Sequence, residues 1–343
     1  MSKKKNYSKK NKPILYLLMF GIFLLGFFVG LILSHSLFPE KVHPSLLLRE
    51  SGYEYINPLI DFDNIDFIKT KEAKDLEKQL NNLVRREIQD NHNISHISIY
   101  YRDLNTGVWI GINEKEKFAL ASLTKVPLMI AHFKIAETNP EHLKTKYVYN
   151  FDREKYLWIL DDNRIPEYSL TEGESYTIDE YIKQLIVYSD NTALIFLTEN
   201  ETMQGEQVDK IYSDLGLTNP YYGEDENRIT AREYSSLFRI LYNATYLNKE
   251  MSSKALELLS QVTYDNGLAK GIPENIVLAN KFGERIYEEE NGDIEQLHDC
   301  GIIYHPTKPY VLCVMTRGNS QPVLADTISH ISSIVYNVVD SSK

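Results

Sequence analysis

The stretch ALASLTKVPLMIAHFK, residues 119–134, has no polar face at helical spacing. Leu128, Met129, Ile130 and Phe133, with Ile135 just beyond, cover every side of the cylinder. A helix that is apolar all round must be wrapped by the rest of its domain, so this segment is expected to be central and buried. Ser122 and Lys125 stand at its mouth, and at spacing i, i+3 they share one side of the first turn. There the helix dipole and the apolar surroundings both disfavour a charged ammonium and favour the neutral amine. A neutral amine beside a hydroxyl is a general base beside a nucleophile. Pro127 opposes the carbonyl of Leu123 in a regular α-helix, which a tight or 3₁₀ first turn would relieve. The pattern alone is weak: Ser2 and Lys5 satisfy it too, and a serine cap with a snorkelling lysine would account for it.

The rest of the chain supplies the wrapping. A helix is predicted over KEAKDLEKQLNNLVRREIQD, where Leu76, Leu80 and Val84 recur at helical spacing. ISIYYRD and GVWIGIN, separated by LNT, read as a strand pair. The middle is helical: Thr177 caps SYTIDEYIKQLIVY, Thr230 and Glu233 have capping-box spacing, and SSKALELLSQV follows. Strands return in NIVLANKF and in the hairpin DCGIIY/YVLCVMTR, before a last amphipathic helix over PVLADTISHISSIVYNVV. This order fits an α/β (α+β) fold: an antiparallel sheet built from both chain ends, with an all-helical subdomain inserted. Cys300 and Cys313 lie on the two hairpin strands and would face each other if the turn centred between Pro306 and Thr307. The register is open in the sequence, and the expectation is a pair of buried free thiols.

The N-terminus has a different character. Residues 1–13 hold six lysines and no acid, and Ile14–Leu33 follow without one charge. That run matches the roughly 20 residues a helix needs to cross a bilayer. Flanking lysines stay in the cytoplasm, so residues 14–33 are expected to form a single-pass bacterial cell-membrane anchor with the remainder extracytoplasmic. The competing reading is a cleaved signal peptide, with Ser34 and Ser36 imitating a cleavage site, but such apolar regions run only about 7–15 residues. Residues 34–70, with Pro39, Pro44, Gly52 and Pro58, read as a spacer, and 71–343 as the globular domain. The net formal charge of −11, despite those six lysines, argues against a nucleic-acid partner.

Two more polar clusters interrupt apolar segments. In VYSDNTALIFL, Ser189, Asp190 and Asn191 sit between two buried helical runs; a capped helix break explains only one of the three. In VLANKFGER, Lys281 precedes Gly283 by two residues, and the glycine would let another chain approach the backbone, as a substrate along a strand edge requires. A β-bulge with a charged strand end is the simpler account of that cluster taken alone.

Taken together, SxxK, SDN and KxG in this order resemble the three active-site motifs of the class A β-lactamase and penicillin-binding protein superfamily. The resemblance covers about residues 70–340 and implies the β-lactamase/transpeptidase-like fold. It implies that Ser122 is the acylated nucleophile, Lys125 its proton acceptor, and Ser189 the shuttle to the leaving nitrogen. Asn191 would hold the substrate's amide side chain, and Lys281 would supply positive charge to Ser189 and the substrate carboxylate. The oxyanion hole would use the backbone N–H groups of Ser122 and of Glu284, the residue after Gly283. Asp190 would be structural, capping a helix behind the site.

Two departures stand out. Phe282 occupies the place where the family has Thr or Ser, so a hydroxyl for the substrate carboxylate is lost; Arg285 is the nearby candidate to replace it. The omega-loop glutamate of class A β-lactamases has no evident counterpart in NPYYGEDENRI, although Glu224 and Glu226 are near. The implied function is a β-lactamase-like serine hydrolase acting on the amide of a β-lactam through acyl-Ser122. The alternatives are a D-alanyl-D-alanine peptidase acting on peptidoglycan peptides, and a catalytically impaired cell-wall binding module. No metal or cofactor is implied: GxSxG and HExxH are absent, and two cysteines on one hairpin do not make a zinc site.

Overall fold

In three long strands near the C-terminus and one near the start of the domain, apolar residues occupy both faces, as a sheet covered on two sides requires. The computed structural model describes residues 47–49, 52–62, 70–152, 154–156, 170–199, 205–217, 228–287 and 293–341, with 16, 19–24 and 26–27 nearer the N-terminus. In chain order the elements are β1 (Leu47–Arg49), β2 (Leu59–Phe62), α1 (Lys71–Asp90), β3 (Ile94–Asp103), β4 (Trp109–Ile112) and β5 (Lys117–Ala119). Then come α2 (Lys125–Ala136), β6 (Lys146–Val148), β7 (Ser175–Thr177), α3 (Ile178–Val187), α4 (Asn191–Glu199), α5 (Gly205–Asp214), β8 (Arg228–Thr230), α6 (Ala231–Tyr242) and α7 (Lys249–Leu259). The chain closes with β9 (Leu278–Tyr287), β10 (Ile294–Ile303), β11 (Tyr310–Gly318) and α8 (Gln321–Ser341).

The main sheet runs β4-β3-β11-β10-β9 and is antiparallel throughout, so its strands come from both ends of the domain, with the helical block inserted between them. Ile97, Ile99, Leu312 and Val314 pack with Leu76 and Leu80 of α1 and Leu324, Ile328, Ile331 and Val335 of α8. On the other face Tyr100, Cys300, Ile302 and Met315 join the core formed by α2, α3, α6 and α7. In α2 every residue from Lys125 to Phe133 is buried, so the helix without a polar face is the core of that layer. Caps set the entries: Thr70 accepts from the Ala73 N–H, and Thr177/Glu180 and Thr230/Glu233 form capping boxes.

Several expectations are revised. Cys300 stands directly opposite Cys313 in the β10–β11 register and the two form a disulfide, so the expected free thiols are not present. The turn is pinned by the His305 Nδ1, which accepts from the backbone N–H groups of Thr307 and Lys308 at 3.4 and 3.2 Å, a local bond that periodicity does not reveal. Part of the expected spacer packs on the domain. β1 and β2 pair, Ile56 enters the main core, the Asn57 N–H donates to the Tyr242 carbonyl at 2.7 Å, and Arg49 donates to Asn57, Asn243 and Leu104. Short pairs β5–β8 and β6–β7 add to the predicted elements.

Residues 1–44 form a unit separate from 45–343. Most of the span expected to be an anchor, 14–33, lies outside the described residues; 19–24 are helical, and among the described residues no helix is long and apolar enough to cross a membrane.

Candidate active site

The nucleophile candidate sits on a strained turn. Ala121–Thr124 form a 3₁₀ turn that leads into α2, the tight entry expected to relieve Pro127. Proline brings no N–H to the Leu123 carbonyl, and the Tyr234 hydroxyl from α6 donates to that oxygen at 3.0 Å instead. Two of the four non-glycine residues with positive φ among the described residues are Ala121 (φ 48°), beside Ser122, and Ser189 (φ 54°). Each such residue costs of order 1–3 kcal/mol, and such strain collects where surrounding structure fixes a functional geometry.

The segment before Ser122 is tethered to the sheet by side chains. The Ala119 N–H donates to Gln296 Oε1 at 3.2 Å and the His298 Nε2–H to the Ala119 carbonyl at 3.1 Å. Burial holds His298 neutral, with its pKa pushed down to about 4. Gly283 brings β9 against this turn: a Cβ there would lie 3.1 Å from Leu123 Cγ and 3.2 Å from the Leu120 carbonyl oxygen. The protein's own 120–123 turn thus comes close to the glycine.

Around Ser122 the three motifs converge. Lys125 is fully buried, and its Nζ lies within hydrogen-bond distance of Ser122 Oγ (3.1 Å), the Ser189 carbonyl oxygen (2.6 Å), Ser189 Oγ (3.1 Å) and Asn191 Oδ1 (2.8 Å). Lys281, also fully buried, donates to Ser189 Oγ at 2.9 Å and to the Phe282 carbonyl at 3.1 Å. The result is a continuous chain Ser122–Lys125–Ser189–Lys281 in hydrogen-bond contact, while Ser122 itself remains partly accessible. Such a chain can take a proton from one hydroxyl and deliver one at another. Asp190 accepts from the Thr192 N–H (2.7 Å) and Thr192 hydroxyl (2.8 Å) at the start of α4, the capping role anticipated for it.

The β9 end differs from the family pattern. The Phe282 ring is buried, stacked on Tyr264 with centroids 4.1 Å apart, and Lys281 Nζ lies 4.1 Å from its centroid. It therefore faces the ammonium with its π-cloud where a hydroxyl would have stood. Glu284 is partly buried opposite Leu297; Arg285 is exposed, with its guanidinium 4.8 Å from the Tyr287 ring centroid. Glu224 and Glu226 lie outside the described residues. Tyr234, Gln296 and His298 support the site without having been singled out from the sequence. The run of polar residues Glu295, Gln296, His298 and Asp299 in the first half of β10 was the signal available. Among the described residues no three His, Cys, Asp or Glu side chains converge as a metal site.

The model of the beta-lactamase enzyme family matches residues 75–339. The fold is similar to that of PBP-A, at 20% identity and a TM-score of 0.61 over 78% of this chain and 96% of that one. It is similar to the TLA-1 extended-spectrum beta-lactamase at 18% identity and 0.62, over 77% and 99%. It is also similar to a class A beta-lactamase from Mycobacterium abscessus at 19% and 0.61, over 78% and 100%. With the family model spanning the sheet, the helical block and all three motifs, the chain belongs to the beta-lactamase enzyme family and has the fold of its serine hydrolases.

Proposed function

We propose that the protein hydrolyses the amide bond of a β-lactam through an acyl-Ser122 intermediate. The observation that carries this reading is the buried Lys125 amine in contact with the hydroxyls of both Ser122 and Ser189. In the neutral form Lys125 takes the Ser122 proton as Oγ bonds to the carbonyl carbon. The backbone N–H groups of Ser122 and Glu284 receive the developing oxyanion. On collapse the C–N bond breaks, and Ser189 hands its proton to the leaving nitrogen while recovering one from Lys125. Lys281 holds Ser189 and the substrate carboxylate, Asn191 the substrate's amide side chain, and water then releases the acyl group.

A second reading, a D-alanyl-D-alanine peptidase with a long-lived acyl enzyme, draws on Glu233. That acid lies at the start of the helix after the loop and is committed to capping, its Oε2 accepting from Thr230 N (3.0 Å) and Oγ1 (2.9 Å). The similar PBP-A is known as an acyl-enzyme complex with penicillin G in a mutant form.

We propose that the domain lies outside the cell membrane, anchored through residues 14–33. The six lysines, the charge-free run and a helical stretch that exposes Met19, Phe20, Ile22 and Phe23 support the anchor. The disulfide suits an oxidising compartment. N-terminal sequencing of membrane-bound protein tests the anchor, and a chain starting near Leu37 would sink it.

To test the chemistry, the full chain in detergent is incubated with a fluorescent penicillin and a chromogenic cephalosporin beside Ser122→Ala. Rapid serine-dependent turnover supports the lactamase; stable labelling without turnover supports the peptidase. Folded protein without serine-dependent labelling or peptide cleavage is the binding module.

A further inference from the structure

Behind the strand that carries Lys281 lies a buried acid that the reaction above does not use. Asp299 on β10 is fully buried and stands opposite Phe282 in the β9–β10 register, while Lys281 stands opposite Cys300. Strand alternation therefore places the Asp299 side chain on the sheet face shared by Asn280 and Phe282, one strand thickness from the lysine's own face. One carboxylate oxygen accepts from Asn280 Nδ2 at 2.8 Å, the other from the Leu268 N–H at 2.9 Å. Gly267 makes that second bond possible: at φ +61° it has no side chain, and a Cβ would come within 2.7 Å of the carboxylate. The loop so held begins at Tyr264, stacked on Phe282, and is fastened to α8 by Ser329 and Ser332, which donate to the Gly267 and Leu268 carbonyls. Asp299 thus grips both sequence neighbours of Lys281, Asn280 directly and Phe282 through the 264–268 loop.

The groups that face it come from every packed element. β9 brings the Lys281 ammonium, which favours the ionised acid; α6 brings Tyr234; the loop brings Tyr264. Its own strand brings His298, held neutral, β11 brings Val314, and α8 brings only the two serines, which do not titrate. Burial outweighs the Asn280 and Leu268 hydrogen bonds and pushes the Asp299 carboxyl up to about 6.

We infer that Asp299 is a positioning residue for Lys281: ionised, it fixes the strand on both sides of the lysine and supplies a negative charge to match it. Protonated, it gives up that charge and turns one acceptor oxygen into a donor, so the grip on Asn280 or Leu268 loosens. The inference rests on the reading of Ser122 as the acylated nucleophile.

The experiment follows Ser122 acylation by a fluorescent penicillin against pH in wild type and Asp299→Asn, alongside wild-type NMR of the Asp299 Cγ and Lys281 Cε resonances. The wild-type rate is expected to fall on the acid side with a midpoint near pH 6, where Asp299 takes up its proton. Asp299→Asn should be about tenfold slower at neutral pH, a fraction of the roughly 10²-fold that a 1 Å misplacement can cost, and should lack that midpoint. Lys281 Cε should shift as Asp299 titrates. A variant that melts lower but keeps the wild-type midpoint shows a purely structural acid and overturns the inference. If the variant does not fold, a Lys281 resonance that stays flat through the Asp299 titration overturns it, and one that moves supports it. If wild type is not acylated at any pH, the reading of Ser122 fails, and the NMR titration still decides the role of Asp299.

Discussion

Lys125 and His132 lie seven residues apart on α2, both fully buried, and so stand one above the other along a single stripe of the helix. Lys125 reaches four oxygen atoms of Ser122, Ser189 and Asn191, and the Ser122 hydroxyl among them is partly accessible. His132 meets one group: its Nδ1 is 2.9 Å from His142 Nε2, and its own Nε2 has no partner. Burial, with the neighbouring His142, pushes the His132 pKa down to about 3, so the pair is neutral and shares a single proton between the two nitrogens. Two basic side chains in one apolar helix thus have different fates. Burial removes the charge where only another imidazole is at hand. Where oxygens converge, it leaves an amine in contact with a partly accessible hydroxyl.

Replacing the base should have the largest effect. Lys125→Ala is expected to slow Ser122 acylation by about 10²–10⁴, the usual contribution of a positioned general base. Stopped-flow labelling with a fluorescent penicillin measures it, and a rate within tenfold of wild type would put the base elsewhere. The other end of the stripe responds through stability. The folded pKa of His132 lies below the ordinary imidazole value of 6.5, so its contribution is complete above pH 6.5 and is lost as pH falls toward about 3. Between neutral pH and pH 4, wild type should lose more melting temperature than His132→Phe, by the equivalent of a few kcal/mol. Parallel pH curves for the two proteins would show that the imidazole pair is already protonated or exposed. Acylation by His132→Phe at neutral pH should stay near wild type, which separates the two ends.

Tyr234 tests how rigidly the Lys125 end is held. Its hydroxyl joins the Lys125 N–H at the Leu123 carbonyl, in place of the donor that Pro127 cannot supply. Tyr234→Phe should therefore cost about 1 kcal/mol in chemical denaturation, with a smaller fall in acylation rate. Unchanged stability would mean that the carbonyl finds another donor at no loss.

The sequence foretold Pro127 and the 3₁₀ turn but not Tyr234. A proline states its consequence locally, whereas a tyrosine on the apolar stripe of α6 looks like any core residue. The same divide runs through the molecule. α1, the capping boxes at Thr177 and Thr230, the β3–β4 pair and the closing hairpin depend on periodicity and caps, which short windows of sequence contain. Gln296, His298 and Asp299 act across strands, and their partners Ala119, Asn280 and Leu268 become neighbours only once the sheet order is set. The disulfide was hidden for a related reason, since a one-residue change of register would send Cys300 and Cys313 to opposite faces. The Ser122, Ser189 and Lys281 motifs were legible because their order along the chain carries information that no single motif has. The close approach at Gly283 was legible, but not that the Leu120–Leu123 turn makes one.

Arg285 offers the smallest effect and the sharpest control on burial. It is a basic side chain near the site like Lys125 and Lys281, yet it is exposed and lies over the Tyr287 ring. In water-like surroundings a single ion pair contributes about 0.2–1 kcal/mol. If Arg285 meets the substrate carboxylate in place of the hydroxyl lost at Phe282, that is about what it can add. Arg285→Ala should then raise the penicillin concentration needed for half-maximal acylation by about two- to fivefold while leaving the limiting rate unchanged, since uniform binding alone is lost. The effect should shrink in high salt, which screens exposed charges but not Lys125. A fall in the limiting rate would place Arg285 in contact with the reacting groups, and burial would then no longer separate the basic side chains that act in the chemistry from those that only hold the substrate.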